Sequence, residues 1–331
     1  MSIFHFKAPK RNLISWILDT SIYYSFDQSG FHRHLRHSLP INCDLSTLHI
    51  LITGANAGIG RACAFELAKH NAQLSLLCRD PVKGHALIND LLREYPHLSK
   101  ENLNLIIADL GDFSTIDRIS LKKGHKLNGV IHNAGLLPKS YKQTKSGLEQ
   151  TLAVHLAGPL RLTYHLSSYF DFNHPYPFRV LWMSSGGMYT KPLSLKALHA
   201  IQDKEYTYDG VEAYAYTKRA QVEIASFMAE SVQLSQNWEV HSLHPGWVDT
   251  PGLQNSLPFF WRWTHKRLRT AKQGADTAVW LSACPNSLPC GFWFDRLRRN
   301  PYLLGHRPTH QQSKEVWKQI CSWADISHNW T

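Results

Sequence analysis

Two observations along the 331 residues predict a doubly wound α/β fold, a Rossmann-type parallel sheet with helices on both faces. Short apolar runs alternate with stretches of helical period from about residue 48 to 295, and that alternation calls for crossover connections between parallel strands. The first apolar run also ends in a glycine-rich turn, Thr53-Gly54-Ala55-Asn56-Ala57-Gly58-Ile59-Gly60, that opens a helix. One domain with a sheet of about seven strands is expected over residues 46–302. Residues 1–45 read as an aromatic and basic N-terminal extension, and residues 303–331 as a polar C-terminal tail with one helix around Gln311 to Trp323.

The first strand is expected at 48–53, and in the helix after it, near 58–70, Ile59, Cys63, Ala64, Leu67 and Ala68 share one face. Between them the turn has the form of a dinucleotide grip. A diphosphate needs backbone N–H donors at a helix N-terminus, and glycine lets the main chain turn tightly against it. The second strand, 73–78, ends in Cys78 and is followed by Arg79, with no carboxylate at its terminus and Asp80 beyond it. A guanidinium there suits a 2′-phosphate, so NADP(H) is expected in preference to NAD(H). A helix near 83–95 leads to the third strand, 103–108, whose end carries Asp109-Leu110. That pair is placed either to touch the adenine ring or to cap a helix at 112–122.

A fourth strand at 128–132 and a helix at 146–168 precede the fifth strand, 178–184, which closes on Met183-Ser184-Ser185-Gly186-Gly187. A hydroxyl at that carboxyl end either orients a substrate oxygen or only ends the strand. On the next helix, 212–233, Tyr214 and Lys218 stand four residues apart and share a face. An ammonium beside a phenol stabilises the phenolate and brings a group of reference pKa about 10 toward use at neutral pH. The pair can then donate or accept a proton. A sixth strand at 238–243, a helix at 271–281 and a short strand Phe292-Trp293-Phe294 complete the order.

The net charge of +11 fits nucleic acid, an anionic membrane or a phosphate-bearing cofactor equally well. No nucleic-acid motif and no continuous basic stripe are present, so no nucleic-acid partner is expected. No apolar run approaches the length of a membrane span, and Ile14-Ser15-Trp16-Ile17-Leu18 lacks the long apolar core and cleavage site of a secretory signal. Six cysteines without metal-ligand spacing read as reduced thiols of a cytoplasmic protein. The twenty histidines show no HExxH pair, and no metal is expected.

Taken together, TGANAGIG at 53–60, HNAG at 132–135, MSSGG at 183–187, YAYTK at 214–218 and HPGWVDTPG at 244–252 resemble the short-chain dehydrogenases/reductases, over about residues 45–300. QGADTAVWL at 273–281, FWFDR at 292–296 and an extension with Tyr24, Phe26, Gly30 and Phe31 narrow the likeness to one subgroup. The resemblance implies that Gly54, Gly58 and Gly60, with Thr53, Asn56 and Ile59, hold the dinucleotide's phosphates. It implies that Arg79 meets the 2′-phosphate and that Asp109 and Leu110 lie by the adenine. Asn133, Ala134 and Gly135 would pack beside the cofactor, and Pro245, Gly246, Val248 and Thr250 would flank the nicotinamide. Ser185 would align a carbonyl, Tyr214 would act as general acid/base, and Lys218 would bind the nicotinamide ribose and lower the tyrosine's pKa. Such a site interconverts a carbonyl and an alcohol.

Two features depart from that pattern. Where the family presents an asparagine that completes a water-linked proton relay, Leu152-Ala153-Val154-His155-Leu156-Ala157-Gly158 has His155. Imidazole either continues the relay, as a fourth catalytic group, or packs at a helix kink before Pro159. A broken relay leaves the alternative of a catalytically weak relative that binds NADPH in a structural or sensing role. The interval of twenty-nine positions from Ser185 to Tyr214 is long, and Met188 to Gly210 is expected to form an extra wall or lid. The substrate loop, about 247–272, has four aromatics in five residues at Phe259-Phe260-Trp261-Arg262-Trp263, followed by Lys266, Arg267 and Arg269. These aromatics line a pocket for a lipophilic carbonyl or alcohol, meet a membrane surface together with Trp16, Ile17 and Leu18, or simply pack.

Overall fold

In a computed structural model, residues 25–35, 41, 43–203, 207–232, 238–256, 258–302 and 307–328 are described. Eight strands form one sheet: β1 His49–Thr53, β2 Gln73–Cys78, β3 Leu103–Ile107, β4 Gly129–His132, β5 Phe178–Met183, β6 Trp238–Leu243, β7 Gly291–Phe294 and β8 Leu297–Arg299. Their spatial order is β3-β2-β1-β4-β5-β6-β7-β8. The seven strands read from the sequence are all parallel to their neighbours. The eighth pairs antiparallel with β7 through Asp295 and Arg296, both at positive φ. A two-residue hairpin of this hand is usually announced by Asn-Gly or Asp-Gly, and Asp-Arg gives no such signal.

Burial on both faces makes the inner strands read as unbroken apolar runs: every residue of β1, β4 and β5 is buried. Alternate side chains serve opposite cores. On one face Ile50, Ile52, Leu74 and Leu76 meet α2 (Gly58–Lys69) and α11 (Ala271–Ala283), after α1 (Gln28–Leu35) has opened the described chain. On the other, Leu51, Val130, Val180 and Trp182 meet Leu156, Leu160, Ala220 and Ile224.

Between α2 and α11 lie α3 (Pro81–Glu94), α4 (Phe113–Ile116), α5 (Gln150–Leu152), α6 (Gly158–Leu166), α7 (Leu195–Gln202), α8 (Gly210–Val232), α9 (Pro251–Ser256) and α10 (Pro258–Thr264), and α12 (His310–Ala324) ends the series. α4 is much shorter than the helix expected at 112–122; Ile119 and Leu121 are still buried, but from irregular chain. The long helix expected at 146–168 starts at Gln150, where buried Glu149 accepts from the N–H groups of Thr151 and Leu152. It then widens into a π turn at Ala153–Ala157. Pro159 supplies no N–H and crowds the preceding turn, and a π turn absorbs that mismatch.

The segment expected as a polar tail contributes to the main core. α12 begins with the reciprocal Thr309–Gln312 capping box and buries Val316, Trp317 and Ile320 in the cluster that also holds α8. Strand order reverses between β1 and β4, so the crevice at their carboxyl ends is where a doubly wound sheet binds its ligand.

Candidate active site

A cleft of about 780 Å³ opens there. Gly54, Asn56, Gly58, Ile59, Asn133, Ala134 and Gly135 line it. Gly54 has φ +64°, and a Cβ on it would stand 3.0 Å from Ala134 Cα, so both its conformation and the close approach of the next loop require glycine. Thr53 does not line the cleft but joins its two turns: its Oγ1 accepts from the N–H groups of Asn133 and Ala134, each at 3.0 Å. Asn133 Nδ2 donates back to Thr53 O at 3.0 Å. Gly60 likewise sits below the surface, packed against the Asn133 side chain.

Ala57 caps α2 without any side-chain hydrogen bond, so the first N–H groups of the helix are not engaged by a side-chain cap. An uncapped, dipole-positive helix end beside a glycine cradle fits a dinucleotide's diphosphate.

At the end of β2, Arg79, Asp80 and Lys83 line the cleft, facing Asp109 and Leu110. Asp80 is occupied as the cap of α3, accepting from Val82 N–H at 2.9 Å and Lys83 N–H at 3.2 Å. Asp109 lines the cleft but does not cap the next helix, whose N-cap is Asp112; its Oδ1 accepts instead from Gly111 N–H at 2.8 Å in the turn before it. Arg79 is 73% exposed, with Nη1 4.0 Å from Asp109 Oδ2, a contact too long and too wet to hold it.

The chemical groups gather at the end of β5. Ser185 starts a 3₁₀ turn, Gly186–Thr190, and its Oγ accepts from Gly187 N–H at 3.3 Å. The Tyr214 phenol is raised above its ordinary pKa by burial, opposed by a hydrogen bond with Ser185. Lys218 Nζ lies 5.6 Å from the Tyr214 ring centre and donates to Met183 O at 2.8 Å. Burial brings the ammonium down to about 7. Burial thus moves the two groups in opposite directions, the phenol up and the ammonium down, each toward its neutral form.

His155 lies within the π turn and is fully buried. Its Nε2 accepts from Leu136 N–H at 3.0 Å, which leaves the proton on Nδ1 to be donated to Thr217 Oγ1 at 2.8 Å. Burial and then the charge of Lys218 hold it well below the usual histidine value. Both ring nitrogens are taken by the protein, so this geometry gives the packing alternative its support and gives a relay water no partner on the ring.

The far wall is the turn after β6. Pro245, Gly246, Val248 and Thr250 line the cleft with Trp247. Gly246 has φ +84°, and a side chain there would strike the guanidinium of Arg269. Arg269 is buried, paired with Asp295 and donating to the carbonyls of Ser25 and Asp27. Phe26 fits between His244 and Phe294, with ring centres 4.3 and 5.2 Å away. The N-terminal residues thus form a strap beneath this turn.

Of the three readings of the aromatic run, pocket lining finds no support in Phe259, Trp261 or Trp263, none of which lines the cleft. From that region the cleft takes Pro251, Gly252 and Leu253, while Phe259 and Trp263 are 79% and 87% exposed. Trp261 turns inward instead, donating its indole N–H to Asp249 Oδ1 at 2.8 Å.

Residues 48–185 match the short chain dehydrogenase family model. Over 277 residues the chain is 33% identical to dehydrogenase/reductase SDR family member 12 of Homo sapiens, covering 81% of this chain and 83% of that protein. The chain belongs to the short-chain dehydrogenase/reductase family. It is 27% identical to retinol dehydrogenase 12 of Homo sapiens over 85% and 87% of the two chains. The structure of a 3-ketoacyl-(acyl-carrier-protein) reductase from Brucella melitensis complexed with NADH superposes with a TM-score of 0.58 at 20% identity, covering 75% of this chain and 96% of that one.

In this short-chain dehydrogenase/reductase, an NAD(P)-dependent oxidoreductase by family, Leu253 of the expected substrate loop and Thr190 of the expected wall also line the cleft, as do Lys83, Leu136 and Val211, which sequence reasoning missed. Lys83 had a signal, one helical turn beyond Arg79. Among the described residues of Met188–Gly210, Thr190 alone lines the cleft, while Leu198 and Ile201 are buried on α7. Phe26 of the strap was legible as part of the resemblance, but its place was not, since Arg269 meets Ser25 and Asp27 only through the tertiary fold.

Proposed function

We propose that this protein interconverts a carbonyl and an alcohol with NADP(H) in preference to NAD(H), on a lipophilic substrate. The observation that carries the proposal is the convergence of Ser185, Tyr214 and Lys218 on the same cleft as the glycine turn. Gly54, Gly58, Ile59, Asn56 and the open N-terminus of α2 would hold the diphosphate, with Thr53 and Gly60 shaping the turn. Asn133, Ala134 and Gly135 would back the cofactor, and Pro245, Gly246, Val248 and Thr250 would flank the nicotinamide. Bound there, the nicotinamide supplies or accepts the hydride.

Tyr214 is the general acid/base: its hydroxyl gives a proton to the carbonyl oxygen in reduction and takes it back in oxidation. Ser185 hydrogen-bonds the same oxygen and sets its angle. Lys218, held by Met183 O, places an ammonium that binds ribose hydroxyls and favours the phenolate once ligands exclude water. His155 is a positioning residue, its two hydrogen bonds tying the Leu136 loop to the tyrosine helix.

NADP(H) preference is supported by Arg79 and Lys83 at the adenosine end and by the engagement of Asp80 as a cap, which keeps that carboxylate from a ribose. A lipophilic substrate is supported by the apolar side chains of Leu136, Leu137, Val154, Val211 and Leu253 in the cleft and by the likeness to retinol dehydrogenases.

Steady-state assays with NADPH and a panel of ketones and aldehydes test the proposal. Tyr214→Phe should keep cofactor affinity and lose turnover by about a hundredfold or more. Unchanged turnover in that variant places the chemistry elsewhere, and tight NADPH binding with no turnover on any carbonyl supports a structural or sensing role instead.

A further inference from the structure

We propose that α10 docks this protein onto an anionic phospholipid surface, beside the mouth of its cleft. Phe259 and Trp263 are the two most exposed large hydrophobic side chains among the described residues, at 79% and 87%. They lie four positions apart on α10 and share its outer face. Their direction is fixed by the inner face, where Trp261 bonds Asp249 and packs on His265 with ring centres 5.0 Å apart.

Charge is complementary to such a surface. From Thr250 to Ala275 the chain has no acidic residue and five lysines and arginines. Three of the five are matched by carboxylates: Arg267 by Asp27, Arg269 by Asp295 and Lys272 by Glu66. Arg262 and Lys266 are exposed and flank the two aromatics. Aromatic rings inserting at headgroup depth among cations that meet lipid phosphates are the elements of an interfacial helix. A folded protein partner would gain little contact area from two rings on a seven-residue helix, whereas a bilayer interface accepts each ring separately.

Location gives the docking a purpose. α10 follows α9, whose Pro251, Gly252 and Leu253 line the cleft, and Val211 on its rim is 51% exposed. A lipid-facing mouth would receive a substrate already dissolved in the membrane, and this part of the inference rests on the lipophilic substrate proposed above. Docking itself is read without substrate. Among the described residues no helix is long and apolar enough to cross a membrane, so attachment through α10 is peripheral.

The test is co-sedimentation of the full chain with phosphatidylcholine vesicles, with and without phosphatidylserine, at low and high salt. Wild type should sediment with the phosphatidylserine vesicles, less so in high salt. Phe259→Ser with Trp263→Ser should weaken the partition by about tenfold or more, and Arg262→Glu with Lys266→Glu should remove its dependence on phosphatidylserine. Both double variants should keep the wild-type melting temperature and NADPH affinity.

No vesicle binding by wild type, or equal binding by wild type and both variants, overturns the proposal; the second result assigns attachment to another surface. An inactive protein that sediments in this pattern would sink the carbonyl chemistry and leave docking standing. Turnover of carbonyls without vesicle binding would do the reverse.

Discussion

On the function proposed above, Arg79 would select the cofactor without being held in place. It is largely exposed and loosely set against Asp109, while the neighbouring carboxylate of Asp80 is engaged by the start of α3. A 2′-phosphate would draw the guanidinium into a charge-assisted bond. Arg79→Ala should therefore weaken NADPH binding by about 1.5–3 kcal/mol and leave NADH nearly unchanged. Fluorescence titration with both cofactors checks this, and equal wild-type affinities for the two would refute it.

His155 makes a different prediction, because burial and Lys218 hold it neutral well below its usual range. The wild-type pH–rate profile should show no limb near the reference value of about 6.5 from this residue. His155→Asn shortens the side chain and breaks at least one of two buried hydrogen bonds, so it should lower stability by about 1–3 kcal/mol while leaving the shape of the profile intact. Rates and thermal melts on both proteins across pH decide the matter. A limb present in wild type and absent in the variant would restore the relay.

Among the elements, the strap of residues 25–31 bears most directly on the chemistry. Phe26 fills the space between the turn after β5 and the turn after β6, close to Gly186 and against His244. Phe26→Ala should destabilise the protein by about 3–5 kcal/mol and, on the function proposed above, raise the KM for cofactor more than it lowers kcat, because the wall that would back the nicotinamide loosens. Urea unfolding and steady-state kinetics measure the two effects; a stability loss with unchanged KM would make Phe26 a core residue only. Elements legible in the sequence share one property, that local pattern and tertiary burial agree. β1 to β7 read as apolar runs because helices cover both faces, and Tyr214 and Lys218 read as a pair because α8 is regular.

The rest depended on distant partners. β8 needed β7 to define it, the π turn needed Pro159 and the Leu110 carbonyl packed on Gly158, and the docking of Phe26 needed Arg269. The aromatics of α10 left three readings open in the sequence, and only the fold divides them: Trp261 turns in to Asp249, while Phe259 and Trp263 stay outside.

At the scale of the whole molecule, buried histidines make stability depend on pH. Burial lowers His49 to about 4 and His132 to about 3. It also lowers His155 and His244, the former helped by Lys218 and the latter by Arg269, and His241 despite its bond to Glu239. Each is neutral in the fold yet takes up a proton near 6.5 once unfolded, so the unfolded chain binds more protons between those values. The stability these histidines contribute is complete above about pH 6.5 and falls as pH drops toward 4, with His49 alone accounting for about 3 kcal/mol. Lys218, lowered to about 7, acts in the same sense higher up, adding stability as pH rises from 7 toward 10.5. Urea midpoints measured from pH 4 to pH 8 should climb steeply across the acid half; a flat series would mean that these imidazoles carry charge in the fold.

The strap also has a consequence in time. Arg269 donates to Ser25 O across 244 positions of sequence, and Asp295 completes the same pair from further along. Residues 25–27 therefore have no binding place until residues 269 and 295 have been made. The wall at Gly246 closes only after residue 295 is present, and the entropy of joining such remote segments puts that closure late in folding. Until then the nascent protein can form its glycine turn and first crossover units, and so has a means of gripping a nucleotide before it has a complete chamber in which to use one.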